Sequence, residues 1–580
     1  MSRQALVAYF VAVAASVGVA RPCAAQAVSS FFIPDAPESP LAVTPPSFLG
    51  RRIALKDQWT LASASEAERG RLDALRAWNR IGNRPSLIGF SRSLPESVVA
   101  KFGSSEEQVS VSLELHAVRS VTERGSVAWA TAVTVRKAFA LRLHLTGVSL
   151  PTGTKIWVYG TRGDPIAVNA AALSPRGDLW TPTIFGDSAS LEVELPSADS
   201  AGDLTIAELA EWVAPAVSSE SGVSPEAEQA PTCLQDASCV TENQFPAIAL
   251  ARKAVAQLEF MSNGSLLSCT GTLLNDAKAS ATPYLLTANH CIPTQEEATT
   301  LEAFWDFYDA SCGGPPPSMG SLARSNGGTL LASSAVSDFS FIQLNSVPSG
   351  RSFMGWDSRA SSVTSLTPIF RVSHPEPGGV ISAQTYSETL ADTEGRAFCT
   401  FARVGIANRP QFIYSSTLVG DVYPGSSGAA AMLGDGSVIG QLLGTCPMVA
   451  DSCTQPHEIT DGAFSETYPS IAQWLNPDNT PPPSSDFRFS PANPTAGEPV
   501  VFTDMSAGSP TSWSWNFGDP DSGDTDSAST QNPSHMFAGA GAYFVTLTAG
   551  NRLGSSETSR LVVVGGKSNC KPSLTGGHSS

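Results

Sequence analysis

The sequence predicts an all-β chain that is divided into several domains. Runs of alternating apolar and polar residues, bounded by Gly and Pro, occur in the first, middle and last parts of the chain and are typical of strands. At 580 residues the chain is too long for one hydrophobic core, so three or four domains are expected. Residues 213–231 and 476–485 have linker composition and separate the strand-rich segments.

The N-terminus has the pattern of an export signal. Arg3 precedes an apolar run from Ala5 to Ala20, and Ala25-Gln26-Ala27 has the small residues of a signal-peptidase site. We expect residues 1–27 to be a signal peptide and the mature protein to be secreted and extracellular. The apolar run is too short to span a membrane, so no membrane span is expected.

The net charge restricts the possible binding partners, and the cysteine content is read in the light of export. The net charge of −18 leaves no basic patch for nucleic acid or an anionic membrane surface. In an exported protein the cysteines of the middle segment predict four disulfides, whose pairing the sequence alone leaves open. These are Cys233, Cys239, Cys269, Cys291, Cys312, Cys399, Cys446 and Cys453. Cys570, in the polar tail of residues 567–580, is left over as an odd thiol.

Residues 28–230 are predicted to contain a β-sandwich-like domain without catalytic motifs. The segment up to about residue 60 is rich in Pro. Ser65-Glu66-Ala67-Glu68 has the form of a capping box and predicts the start of an amphipathic helix. Strand patterns follow, beginning at Val109–Leu115, and their alternation predicts a sheet with one face open to water.

Residues 486–566 are predicted to form a second β-sandwich, joined by the Pro-rich linker 478–485. Trp513–Asp519, Asn532–His535 and Ala542–Leu547 resemble the PKD domain, a small immunoglobulin-like sandwich common on secreted bacterial hydrolases. We expect this domain to hold the protein near a polymeric extracellular surface.

Four aspartates crowd one loop of the PKD-like segment. Carboxylates suit calcium, but their spacing departs from the usual calcium-loop motif, which favours a solvated acidic turn. They are Asp519, Asp521, Asp524 and Asp526.

Three short motifs between residues 231 and 477 carry the side chains of nucleophilic catalysis. His290 stands at the exit of an apolar strand, Asp338 precedes an alternating strand, and Ser427 lies in a Gly-Ser-Ser-Gly turn. A His can act as general base, an Asp can fix its tautomer, and a Ser can be the nucleophile. Each motif alone is a weak signal, but the order His, Asp, Ser is that of the chymotrypsin fold.

Backbone groups near these motifs complete the predicted site. The amides of Gly425 and Ser427 would form an oxyanion hole. Leu442 and Gly444 are expected to offer backbone hydrogen bonds to an extended substrate. A serine esterase of the α/β-hydrolase type is disfavoured, because it places His last and uses a Gly-x-Ser-x-Gly elbow.

Further short motifs of the middle segment share one pattern. They are Cys233-x5-Cys239, Thr287–Cys291, Phe304–Tyr308, Ser337–Phe339, Gly355–Asp357, His374-Pro375 and Gly425–Gly428. Together they resemble the bacterial lysyl endopeptidases, secreted trypsin-fold serine proteases that are made as preproproteins. The resemblance implies that residues 231–477 are a trypsin-like protease domain, that residues 28–230 are a propeptide, and that the substrates are proteins or peptides.

The same resemblance implies a disulfide framework. It pairs Cys269 with Cys291 and Cys239 with Cys312. Cys233 would bond either Cys446 or Cys453, and Cys399 would take the other.

Three departures from the family concern activation and specificity. Ser426 stands where many trypsin-like enzymes have the Asp that binds a newly cut N-terminus. Leu443 replaces a family His, and the family's acidic pocket residue falls near Ile459. Asp421, six residues before Ser427, is either a pocket carboxylate for Lys or Arg or a plain loop Asp.

We therefore expect a chymotrypsin-like double β-barrel protease domain, flanked by an N-terminal β-rich prodomain and a C-terminal immunoglobulin-like (PKD) β-sandwich. The expected activity is that of a serine endopeptidase which needs no metal and no cofactor. The alternative is a catalytically inactive protease-fold protein that acts as an extracellular binding module. The intact Ser, His and Asp count against that alternative.

Overall fold

The computed structural model forms two compact units, Ala27–Asn479 and a unit that contains Thr480–Ser580. It describes residues 27–33, 47–81, 85–102, 117–121, 125–168, 177–197, 199–213, 233–376, 381–395, 398–401, 405–446, 458–476, 484–506, 510, 512–551 and 554–566. Among these residues, no helix is long and apolar enough to cross a membrane.

The N-terminal region contains two β-sheets packed face to face. Its strands β6, β8 and β12 are buried along nearly their whole length, whereas the sequence predicted one face open to water. One sheet has the strand order β3-β6-β12-β8-β9, and the other contains β10-β7-β13-β4. A core that includes Val133, Leu143 and Leu191 lies between them. The elements are helix α1 (Glu66–Ile81) and strands β1 (Ala27–Val28), β2 (Phe31–Phe32), β3 (Trp59–Leu61), β4 (Ser86–Phe102), β5 (Ala117–Val121), β6 (Val127–Val135), β7 (Ala140–Ser149), β8 (Lys155–Tyr159), β9 (Ile166–Ala167), β10 (Leu179–Trp180), β11 (Ile184–Phe185), β12 (Ser188–Leu195) and β13 (Gly202–Trp212).

The predicted capping box at the start of α1 is confirmed. The Ser65 amide donates to Glu68 Oε2 over 2.7 Å, and the Glu68 amide donates to Ser65 Oγ over 3.2 Å. The predicted strand at Val109–Leu115 lies outside the described residues.

The first barrel carries the strands around His290 and Asp338. Its strands pair in the order β20-β21-β17-β16-β15-β18-β19, and the described pairings do not close this sheet into a ring. The elements are α2 (Ile248–Ala254), α3 (Gln295–Thr300), β14 (Gln235–Asp236), β15 (Val255–Ser262), β16 (Ser265–Leu274), β17 (Tyr284–Ala288), β18 (Glu302–Phe304), β19 (Arg324–Asn326), β20 (Gly328–Ser334) and β21 (Phe339–Leu344). Strand β14 pairs instead with a strand of the second barrel.

The second barrel is closed. Its strands pair in the ring β24-β25-β28-β31-β30-β29, in which β29 returns to β24. The elements are the connecting strands β22 (Ser352–Phe353) and β23 (Trp356–Asp357), then β24 (Pro368–Ser373), β25 (Thr385–Asp392), β26 (Phe398–Phe401), β27 (Gly405–Asn408), β28 (Phe412–Val419), β29 (Ala430–Met432), β30 (Val438–Cys446), β31 (Glu458–Ala463) and helix α4 (Phe464–Leu475). The predicted all-β fold class is confirmed, with the second barrel as a closed ring and the first as a half-barrel in the described pairings.

The C-terminal unit is a β-sandwich of two sheets, β32-β33-β36 and β35-β34-β37-β38. Its core includes Phe502, Trp515 and Val545, all buried. The strands are β32 (Phe487–Ser490), β33 (Pro499–Asp504), β34 (Ser512–Asn516), β35 (Ser527–Ala528), β36 (Ser534–Met536), β37 (Gly541–Asn551) and β38 (Gly554–Val564).

The acidic loop of the C-terminal unit is a structural turn around one buried carboxylate. Asp519 Oδ2 accepts the Ala538 amide over 3.0 Å and lies 3.1 Å from His535 Nε2. Asp521 and Asp524 are exposed and point to no shared partner among the described residues. Because the buried carboxylate is already bonded within the sandwich, the arrangement favours the acidic turn over a calcium site.

The N-terminal region and the first barrel share one sheet. Strand β4 pairs with β16, so that Ser86–Phe90 lies beside Ser265–Ser268 and joins the two sheets into one. Next to this seam, Glu259 of β15 and Glu302 of β18 stand directly opposite one another, and both are fully buried. The Thr183 hydroxyl of the N-terminal region donates to Glu259 over 3.1 Å, and its amide donates to Glu302 over 2.9 Å.

Burial and the neighbouring Glu302 carboxylate raise the pKa of Glu259 to about 8. Two cations face the pair and oppose this shift. Arg142 is buried and donates to the Thr300 carbonyl, and Arg324 forms an ion pair with Glu302 over 3.0 Å. Native Glu259 therefore holds a proton at pH values at which an unfolded Glu has lost it.

We predict that Glu259 makes the Ala27–Asn479 unit less stable as the pH rises. Because its native pKa lies above the ordinary value of 4.5, its contribution is complete below pH 4.5 and is lost by about pH 8. Glu259→Gln, which keeps the acceptor for Thr183, should therefore flatten the fall of Tm between pH 5 and 8, measured on the intact chain. Glu242→Gln, at an exposed position, serves as control. Equal slopes for both variants would contradict the prediction.

Candidate active site

His290 and Asp338 meet because the two strands next to them are paired. Strand β17 ends at Ala288, which lies opposite Phe339 at the start of β21. His290 Nδ1 is 2.7 Å from Asp338 Oδ2, and the His290 amide donates to Asp338 Oδ1 over 2.9 Å. His290 is 2% exposed and Asp338 is fully buried. This two-point contact fixes the imidazole ring and favours the tautomer that carries its proton on Nδ1.

The second barrel holds the backbone at Asp338 in an uncommon conformation. Asp338 has a φ of +53°, in the left-handed region that non-glycine residues rarely adopt. Gln441 of β30 donates from Nε2 to the Ser337 carbonyl over 2.6 Å and to the Asp338 carbonyl over 3.3 Å. Asn289 donates its amide to the same Asp338 carbonyl over 3.0 Å. The orientation of Asp338 therefore depends on both barrels.

Ser427 lies in a turn before β29 that packs against the first barrel. Its carbonyl accepts the Thr270 amide over 2.8 Å and lies 3.9 Å from Cys291 Sγ. Gly428 has a φ of +83°, and a Cβ there would overlap the backbone of Ala288 and Thr270. Only glycine allows this approach, which brings the serine turn beside the strand end that carries His290.

The amides of Gly425 and Ser427 are oriented by the same turn. Gly425 has a φ of +96°, and its carbonyl accepts the Thr270 hydroxyl over 2.8 Å. Within the part of the chain that the structure describes, neither the Gly425 nor the Ser427 amide donates to a protein acceptor. Two such donors on one turn suit an anionic oxygen.

The structure shows the surroundings of Ser426 and Asp421 and one group of potential metal ligands. Ser426 is buried, and its Oγ accepts the Ser373 hydroxyl over 3.1 Å. Asp421 is 3% exposed, and its Oδ1 accepts the Val422 amide over 2.7 Å. The group of Asp236, Cys239 and Cys312 brings three potential metal ligands together, but both sulfurs belong to one disulfide.

The predicted substrate strand needs an adjustment at Leu442. Its amide donates to the Ala429 carbonyl over 2.8 Å, and its carbonyl accepts the Gly428 amide over 2.9 Å. The pairing of β30 with β31 shifts between Leu442 and Gly444, which leaves Leu443 at an irregularity. The Leu442 backbone groups therefore bond within the barrel, and the substrate contacts predicted for Leu442, Leu443 and Gly444 stay predictions.

Three disulfides are described. Cys269–Cys291 and Cys239–Cys312 are as the resemblance implied. Of the two alternatives for Cys399, the structure has the bond to Cys446. Cys233 is also disulfide-bonded. Cys453 lies outside the described residues.

The sequence did not predict several side chains that support the site although they are far from its motifs in sequence. These are Gln441, Thr270 and the fully buried ion pair of Arg371 with Asp461 inside the second barrel. His374, which the sequence marks only as part of the His374-Pro375 motif, also supports the site, since its amide donates to Thr270 Oγ1 over 3.1 Å. Burial lowers the pKa of His374 to about 4, so that it is a neutral ring stacked on Phe307. No local pattern marks the supporting role of these residues, since most of their partners lie far away in sequence.

Comparison with known proteins indicates the class of enzyme that this chain resembles. Residues 65–208 match the family model described as the lysyl endopeptidase N-terminal domain, and residues 227–461 match the lysyl endopeptidase C-terminal domain. Residues 486–564 match the PKD domain. The lysyl endopeptidase of Pseudomonas aeruginosa is 26% identical over 370 residues, which cover 61% of this chain and 75% of that protein.

Two solved structures are also similar. The secreted serine protease VesC of Vibrio cholerae is 12% identical, with a TM-score of 0.26, over 54% of this chain and 69% of that one. The PKD1 domain of Vibrio anguillarum Epp is 25% identical, with a TM-score of 0.12, over 14% of this chain and 93% of that one.

The two barrels and the matched domains define a trypsin-like serine endopeptidase. More particularly, the chain is a lysyl endopeptidase-like protease with a C-terminal PKD domain.

We predict that Gln441 is a positioning residue for Asp338. Gln441→Met removes both hydrogen bonds to the Ser337–Asp338 backbone, and we expect kcat on a peptide substrate to fall about 10- to 100-fold with little change in KM. The pH profile of kcat should also shift, because the imidazole loses its fixed partner.

Gln384→Met is the matched control for Gln441→Met. Gln384 is another buried glutamine that donates to backbone carbonyls, those of Arg252 and Val255. Equal losses of kcat in the two variants, or a loss that follows Tm alone, would assign Gln441 a purely structural role.

Proposed function

We propose that this chain is a secreted serine endopeptidase in which Ser427 is the nucleophile, His290 the general base and Asp338 the residue that orients His290. The observation that carries the proposal is the buried contact between His290 and Asp338, 2.7 Å from Nδ1 to Oδ2. It is the arrangement that a peptide-cleaving Ser-His-Asp triad requires.

In the first half of the reaction, His290 Nε2 takes the proton of the Ser427 hydroxyl as Oγ attacks the carbonyl carbon of the scissile peptide bond. The negative oxygen that develops accepts hydrogen bonds from the amides of Gly425 and Ser427. His290 then gives the proton to the leaving amine, and the C–N bond breaks to leave an acyl ester on Ser427.

In the second half, water replaces the amine. His290 takes a proton from water, the hydroxide oxygen attacks the ester carbonyl, and the same proton returns to Ser427 Oγ as the acid product leaves. In both halves the Asp338 carboxylate stabilises the imidazolium form of His290.

The proposed specificity is for Lys or Arg before the scissile bond, with Asp421 as the carboxylate that binds the cation. Asp421 lies six residues before Ser427 and is nearly fully buried. Val422, Ala429, Leu442 and Ile459 form an apolar cluster beside it. A carboxylate in apolar surroundings binds a cationic side chain strongly.

The proposed roles of the flanking regions follow from their connections. Residues 28–230 would be a propeptide that folds with the protease domain, since β4 shares a sheet with β16. The linker 213–231 would be the place of maturation. The PKD domain would hold the enzyme near a polymeric extracellular surface, and residues 1–27 would direct export.

We predict that a fluorophosphonate probe labels the processed, secreted protein and does not label Ser427→Ala. The probe reacts only with a serine that an adjacent base activates. Ser426→Ala is the control, since it removes the neighbouring hydroxyl and should leave labelling in place. A folded, processed protein that resists the probe would support the alternative of an inactive binding module.

We predict that Asp421→Asn lowers kcat/KM for substrates with Lys or Arg before the scissile bond by about 100-fold, because the cation loses its buried partner. The value for a substrate with Leu at that place should stay within about twofold, since an apolar side chain does not use the carboxylate. Asp435→Asn, at an exposed position, is the control. An unchanged preference for Lys and Arg would eliminate Asp421 as the specificity residue.

A further inference from the structure

The first residues after the expected signal peptide lie against the connection between the two barrels. We call residues 28–33 the tail, and the structure describes it together with Ala27. Ala27 and Val28 pair with Asp357 and Trp356 of β23, and Phe31 and Phe32 pair with Phe353 and Ser352 of β22. The tail thus adds an antiparallel edge strand to the linker between the barrels.

Specific polar contacts fix the register of the tail. Asn275 Nδ2 donates to the Ser29 carbonyl over 2.8 Å, and the Gly355 amide donates to Ser30 Oγ over 2.8 Å. The Ile33 amide donates to the Arg351 carbonyl over 3.0 Å. A one-residue slip would break these bonds and would turn every side chain to the opposite face.

Apolar side chains of the tail contact the cores of both barrels. Val28 packs on the cluster that contains Trp356 and Met354, whereas Phe31 and Ile33 pack on the cluster that contains Phe353. The rings of Phe31 and Phe353 stack with centroids 5.2 Å apart. Phe32, by contrast, is 45% exposed.

The surface under the tail is shaped for it at Gly355. A Cβ on Gly355 would overlap the Val28 carbonyl oxygen and would come within 2.6 Å of the Ser29 carbonyl carbon and 2.7 Å of the Ser30 nitrogen. The Gly355 φ is not in the left-handed region, so its own conformation does not require glycine. The close approach of the tail is what requires glycine at position 355.

We propose that residues 28–33 are a peptide ligand for a groove formed by Asn275 and residues 351–357, and that this groove retains the N-terminal region on the protease domain after the linker is cut. The N-terminal region would then be held at two places, by β4 on β16 and by the tail. Linked contacts of this kind dissociate far more slowly than either contact alone. The proposal extends the propeptide role suggested above. It rests on that role only in assuming that the linker between the N-terminal region and the protease domain is cut during maturation.

The test uses the full chain with Ser427→Ala and a recognition sequence for a site-specific protease inserted within residues 214–231. After cleavage, the dissociation rate of the N-terminal fragment is measured by size exclusion after dilution. We expect Phe31→Ser to raise this rate about tenfold or more, because the stacking of the half-buried Phe31 on the buried Phe353 ring is lost. Phe32→Ser, the neighbouring exposed residue, should leave the rate unchanged.

A second pair of variants tests the groove from the protease side. Gly355→Ala should raise the dissociation rate as Phe31→Ser does, whereas Gly434→Ala, whose added Cβ would meet nothing closer than 3.8 Å, should not. A synthetic Val-Ser-Ser-Phe-Phe-Ile peptide should bind the Phe31→Ser chain and should not bind Gly355→Ala.

Equal dissociation rates for Phe31→Ser and Phe32→Ser would overturn the proposal, as would immediate loss of the fragment from the chain with an unaltered tail. Hydrogen exchange of residues 28–33 that is the same in Gly355→Ala and Gly434→Ala would also overturn it. The proposed catalysis is tested separately, because Phe31→Ser in the chain with Ser427 should still react with a fluorophosphonate.

Discussion

The short backbone segment Ser337–Asp338 is the constraint on which the site depends. The first barrel supplies this segment, and the second barrel holds it through Gln441. Gly462 packs so closely on the Ser337 carbonyl that a Cβ would not fit. The carboxylate can contact His290 from two sides only while the left-handed conformation of Asp338 persists, and that conformation needs support from outside its own strand. The two barrels therefore act as one unit at this point.

Buried charges recur at the places where strands from different parts of the chain meet. Arg371 and Asp461 pair inside the second barrel, and Glu302 pairs with Arg324 where the N-terminal region joins the first. Desolvation makes such groups expensive, so they add little net stability compared with apolar residues of the same size. Removing one member leaves a buried charge without its partner, which penalises any other arrangement of the strands. Their contribution is to define which strands meet.

The same seam explains why the N-terminal region is so closely connected with the protease domain. Strand β17 pairs only with Thr272–Leu274 of β16, so the backbone of Ser265–Ser268 has one side without a partner from the protease domain, and β4 pairs with it there. The connection between the barrels offers a second edge at β22 and β23, which the tail covers. Two edges on the protease domain are thus covered by one N-terminal region through backbone pairing.

The sequence by itself determined the features that depend on neighbours along the chain. The capping box at Ser65 and the fold class were confirmed, because short-range periodicity and local hydrogen bonding produce them. The order of His290, Asp338 and Ser427 indicated which residues to bring together. Only the tertiary structure decided how they are held. Gln441, Thr270, the bond between Cys399 and Cys446 and the use of the Leu442 backbone inside the barrel all depend on strand register, which no local pattern encodes.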